Sequence, residues 1–222
     1  HVMGLNKNAM PSTARKPACP VPDGMIEGGK GGTVALAAAD GRQRPSVVVD
    51  TVREDASAKH AGDLVDALTD DGAIPVDAKV VAVGESDFVD PGVFAGADGI
   101  VIGGGLTPAY HAALEGGYDV IRAAVQGGVP YLGFSAGAMI AAEHAILGGW
   151  RIGGVAVAPE ETAEDLDEVT VVPGIGLVDV SVDVHVAQWG TLTRLIAATE
   201  SGAVDGGVGI DESTALIADA EG

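Results

Sequence analysis

The chain has 222 residues, 47% of them hydrophobic, which suits one domain with a sizeable core and leaves too little for two. Its 32 Asp and Glu against 12 Lys and Arg give a formal net charge of −20. That excludes nucleic acid as a partner, because phosphate neutralisation needs clusters of Lys and Arg. No apolar run approaches the roughly 20 residues of a membrane helix, so no membrane partner is expected. A single-sign field of this size repels itself in dilute buffer, and salt screens it. With scarce lysine and 4% aromatics, the composition predicts a halophilic protein; the alternative is an ordinary acidic mesophilic enzyme. Cys19 is the single cysteine, so neither a disulfide framework nor a cysteine metal site is expected.

In chain order, His1-Val2-Met3 reads as the remnant of an expression tag, and residues 4–32, rich in Pro, Gly and Lys, as an extension draped over the domain or a partner subunit. No basic segment followed by an apolar stretch opens the chain, so no secretory signal and a cytoplasmic location are expected. One α/β domain is expected over 33–222. Thr33–Ala39 reads as a buried strand, and Ala56–Leu68 repeats apolar residues at helical spacing, with a stop at Asp71-Gly72. Lys79–Val83 and Gly99–Ile102 read as apolar strands, Pro108–Leu114 and Val120–Val125 as helices, and Val129–Phe134 as a further strand. Apolar strands alternating with helices predict a doubly wound, mostly parallel sheet covered on both faces. Ligands bind such sheets beyond the carboxyl ends of the strands.

Two segments at predicted strand ends carry chemistry. Gly133-Phe134-Ser135-Ala136-Gly137 lies between a strand and the helix-forming Ala138–Glu143. That is the setting of a nucleophile elbow, with Ser135 the nucleophile and the helix N-terminus facing the developing oxyanion; the alternative is a tight strand-to-helix turn. Gly103-Gly104-Gly105-Leu106-Thr107 lets backbone approach a substrate and present N–H groups, and no Gly-Lys-Ser/Thr follows to make it a phosphate loop. Of the histidines, His60 and His111 fall on amphipathic helices as solvated positions, and His144 falls late in the helix after the elbow. His185 lies in Val180–Val186, an alternating strand that places Ser181, Asp183 and His185 on one face. It is either a base or a satisfied core histidine.

These segments resemble the peptidase E and cyanophycinase family of serine peptidases, whose fold is similar to class I glutamine amidotransferases. The elbow, the glycine loop, Pro173–Val178, Asp183-Val184-His185-Val186 and Gly209–Leu216 agree with that family in order and spacing over about 33–219. The resemblance implies a Ser-His-Glu triad of Ser135, His185 and Glu212, although Glu212 alone could be a solvated turn residue. It implies an oxyanion hole from the N–H groups of Ala136 and of Gly104 or Gly105, and substrate contacts from Thr107, Asp183, Trp189 and Arg194. In cyanophycinase, arginines stand at the positions of Trp189, Thr191 and Arg194, of which Arg194 alone remains; Leu106 replaces a polar residue.

The expected activity is hydrolysis of a short peptide or amide, with aspartyl peptides the family's preference, through an acyl-enzyme and without metal or cofactor. A relative that binds a peptide or small molecule without catalysis is the alternative, and an esterase a weaker one. A homodimer is open.

Overall fold

The computed structural model describes residues 45–54, 58–69 and 75–219. The extension over 1–32, the strand expected at Thr33–Ala39 and the stop at Asp71-Gly72 fall outside these residues. The described chain is mixed α/β, built on a four-stranded parallel sheet. Its strands are β1 (Ser46–Val52), β2 (Asp77–Val83), β3 (Gly99–Ile102) and β4 (Tyr131–Gly133), in the order β2-β1-β3-β4. Helix α1 (Ala58–Thr69) lies on one face, where Ala61 packs with Val47, Val49 and Val101. Helices α2 (Thr107–Leu114) and α3 (Tyr118–Gln126) cover the other face, where Tyr110, Leu114 and Ile121 pack with Val48, Val52, Ile100 and Ile102. Consecutive strand residues thus enter opposite cores, which is why these strands read as unbroken apolar runs.

β1 sits inside this sheet and, of its four strands, is the one not expected from the sequence. Its run Val47-Val48-Val49 is strongly β-forming, but Asp50 interrupts it, and that residue is completely buried.

The helix expected over Ala138–Glu143 is corrected. α4 (Ala136–Met139) is one turn long, and the chain passes into β5 (His144–Gly148). The carbonyls of Ile140, Ala141 and Ala142 accept from the N–H groups of Ile175, Leu177 and Gly176. Tertiary bonding thereby ends a segment that local propensity would continue. His144 accordingly opens a strand instead of closing a helix. β5 pairs antiparallel with β8 (Thr170–Pro173), and β6 (Arg151–Ile152) pairs with β7 (Val155–Ala156). β9 (Ser181–Val184) pairs in parallel with β10 (Gly207–Ile210) and packs Val182 and Val184 with Met139 and Ile146. β5 to β8 and β10, outside the four-stranded sheet, are not expected from the sequence either. Helices α5 (Val186–Trp189) and α6 (Leu192–Glu200) follow β9. Among the described residues no helix is long and apolar enough to cross a membrane.

Candidate active site

The pairing of β3 with β4 puts the Gly103–Thr107 loop directly beside the Ser135 turn. Phe134 N–H donates to Ile102 C=O at 2.9 Å, and Gly137 N–H donates to Gly103 C=O at 3.0 Å. Ser135 has φ 53° and ψ −109°, a conformation that costs a residue with a Cβ about 1–3 kcal/mol. The strain is held by close packing at the two flanking glycines. A Cβ on Gly133 would lie 2.5 Å from Gly137 O, and one on Gly137 would meet the backbone of Ile102. Tyr131 Oη also donates to Gly137 C=O at 2.7 Å.

His185 reaches the same point from another element. β9 ends at Val184, and His185 takes a left-handed conformation, φ 53° and ψ 32°. It therefore leaves the face expected to hold Ser181 and Asp183. Its Nε2 lies 3.0 Å from Ser135 Oγ, and its ring stacks on Trp189 with centroids 4.2 Å apart and 24° between planes. On the far side, His185 Nδ1 is buried and has no hydrogen bond among the described residues, and Glu212 Oε1 lies 3.4 Å from it. The separation is that of an ion pair, while the alignment is not that of a hydrogen bond. The Glu212 side chain is half exposed, but its loop is anchored on α5. Ala187 N–H donates to Asp211 Oδ1 at 2.8 Å, and Glu212 N–H donates to Gln188 Oε1 at 3.2 Å.

Gly104 is in tight contact with Ser135: a Cβ there would lie 2.7 Å from Ser135 Cβ. Ala136 is buried at the first position of α4, where an N–H has no acceptor within the helix. Because α4 is a single turn, any oxyanion stabilisation rests on individual N–H groups and not on a long helix dipole.

Three residues expected at the substrate are turned elsewhere. Arg194 and Asp183 are buried against each other. Arg194 Nη2 and Nε donate to the two Asp183 carboxylate oxygens at 2.7 and 2.8 Å, and Nη1 donates to the carbonyls of Thr162 and Gly149 at 2.9 and 3.3 Å. With every donor group occupied, Arg194 ties α6 to β9 and to the 149 and 162 segments, and Asp183 is fully buried beneath it. Thr107 is also fully buried, its hydroxyl on Met139 Sδ at 3.6 Å. Trp189 does line the cleft.

The cleft over Ser135 and His185 encloses about 800 Å³. Its lining includes residues that the sequence did not single out: Arg53, His60 and the acidic Glu160, Glu161, Glu164, Asp165 and Asp167. Desolvation holds the His60 pKa below the usual histidine value, assisted by the Arg53 cation. Burial raises the carboxyl of Glu164, whose Oε2 accepts the Thr107 N–H at 2.9 Å. His111, expected to be solvated, is half-buried in contact with Tyr118 Oη at 3.1 Å.

The model of peptidase family S51 matches residues 85–222, a stretch that includes Ser135, His185 and Glu212. The chain belongs to this family and is a serine peptidase. It is also similar to a solved structure of a candidate peptidase E from Listeria monocytogenes EGD-e, at 16% identity and a TM-score of 0.45, over 71% of this chain and 76% of that one. No curated protein matches the sequence.

Proposed function

We propose that the protein hydrolyses short peptides through an acyl-enzyme on Ser135, with His185 as general base and Glu212 as the group that orients and charge-balances the imidazole. The observation that carries the proposal is the 3.0 Å approach of Ser135 Oγ to His185 Nε2 at a strained turn. Ser135 Oγ attacks the scissile carbonyl carbon while its proton passes to Nε2. The resulting oxyanion is met by the N–H groups of Ala136 and of Gly104 or Gly105. As the C–N bond breaks, the imidazolium returns the proton to the leaving amine. Water then enters, gives a proton to Nε2 and attacks the ester, and Ser135 Oγ leaves with that proton. The short Ser–His contact favours this reading over a relative that only binds.

The aspartyl preference loses its support in Arg194, which is committed to Asp183. The carboxylates on the cleft wall oppose a further negative charge, so neutral and basic side chains are the better fit. Intact-mass labelling with a fluorophosphonate in molar KCl tests the nucleophile. A panel of dipeptides with acidic, neutral and basic side chains tests the preference, and faster cleavage of the acidic members would contradict it.

A further inference from the structure

We propose that Arg53 is a positioning residue for the oxyanion loop, holding the Gly104–Gly105 peptide in its anion-binding orientation. The inference rests on the serine-hydrolase reading above and adds a residue to it. Arg53 directly follows β1 and is fixed there by its own N–H, which donates to Val83 C=O at 3.0 Å. Its Nη1 donates to the carbonyl of Gly104 at 2.7 Å, a charge-assisted bond of short length. The buried Tyr110 Oη donates to the same oxygen at 3.2 Å.

In a trans peptide the C=O of Gly104 and the N–H of Gly105 point in opposite directions, so donors on the carbonyl also set the direction of the N–H. Between two glycines nothing intrinsic prevents this peptide from turning over. A turned peptide would exchange a carbonyl oxygen for an N–H beside the reacting carbonyl, opposing the oxyanion instead of stabilising it. Gly104 cannot acquire rigidity from a side chain, because a Cβ would collide with Ser135. The orientation must therefore be imposed from outside the loop, and Arg53 and Tyr110 are the groups that grip it. The guanidinium also polarises the peptide it holds, which strengthens the N–H as a donor.

Arg53 lines the cleft as well, and the rival role is direct recognition of a substrate carboxylate. The two roles separate kinetically. Full-length Arg53→Ala is compared with wild type in molar KCl, using a neutral and an acidic dipeptide, a fluorophosphonate, and added guanidinium ion at millimolar concentration. Losing one oxyanion donor outright costs about 10²–10³ in rate, and a misoriented loop is expected to cost about 10- to 100-fold. Positioning predicts that kcat falls by this amount equally on both peptides, that KM stays within about twofold, and that labelling slows in parallel. It also predicts that guanidinium restores part of the rate while the melting temperature is unchanged. A rise in KM confined to the acidic peptide would overturn the proposal in favour of recognition, and labelling at the wild-type rate would overturn it outright. Arg53→Lys, which keeps the charge but not the fork, is the second variant and should retain an intermediate rate. Wild-type protein that fails to label would sink the Ser135 reading itself, an outcome distinct from labelling that is insensitive to Arg53.

Discussion

Replacing Asp50 by Asn should stabilise the protein at neutral and alkaline pH. Asp50 lies in the central strand β1, is fully buried, and neither of its carboxylate oxygens has a hydrogen-bond partner among the described residues. Burial raises its carboxyl from 3.8 to about 7. A folded-state pKa above the unfolded value means that the folded state holds the proton more tightly. The contribution is fully present below pH 3.8, is lost as pH rises, and levels off above about 7. Three pKa units at 1.36 kcal/mol each make the full penalty about 4 kcal/mol. Asn has the same shape and cannot ionise, so it removes this penalty while leaving its own amide unsatisfied, as the protonated acid also does. The advantage of Asp50→Asn should therefore be about 0.5 kcal/mol at pH 4, grow by about 1.2 kcal/mol per pH unit between 5 and 7, and level off by about pH 8. Urea unfolding at constant molar KCl across pH 5–8 measures it. A difference that does not change with pH, or a variant less stable than wild type at pH 8, would refute the reasoning and show that the carboxylate is compensated.

Arg194→Ala should cost about 3–5 kcal/mol, because it strands a buried Asp183 carboxylate. The loss would appear in thermal melts, with any remaining activity reduced equally on acidic and neutral peptides; a selective loss on acidic peptides would restore Arg194 to the substrate site. The net charge of −20 predicts a melting temperature that rises with KCl into the molar range as repulsion is screened, and a flat or falling curve would contradict salt adaptation.

What the sequence disclosed and what it concealed divide along a physical line. β3, β4 and the elbow were legible because apolar strands, glycines and a serine at a strand end are local signals. His185 was legible as a histidine at the end of an alternating segment, but its left-handed conformation was not, and that conformation separates it from Asp183. The length of α4 was decided by carbonyls bonding to residues 175–177, a contact no local propensity contains. Arg194 looked available because the family resemblance sets it among the arginines that meet substrate carboxylates; only its burial against Asp183 shows that it is occupied. Arg53 carried no pattern at all. Its place beside Gly104 comes from β1 and β3 being neighbours in the sheet, although 51 residues separate the two in the chain.

The proposed role of Ser135 is that of a nucleophile activated by His185. Intact-mass spectrometry after fluorophosphonate treatment in molar KCl, on wild type, Ser135→Ala and His185→Ala, tests it most directly. One adduct on wild type, none on Ser135→Ala and at least 100-fold slower labelling of His185→Ala, in line with the contribution of a general base, is the predicted result. An adduct that persists in Ser135→Ala, or a wild type that stays unlabelled while folded, would contradict it.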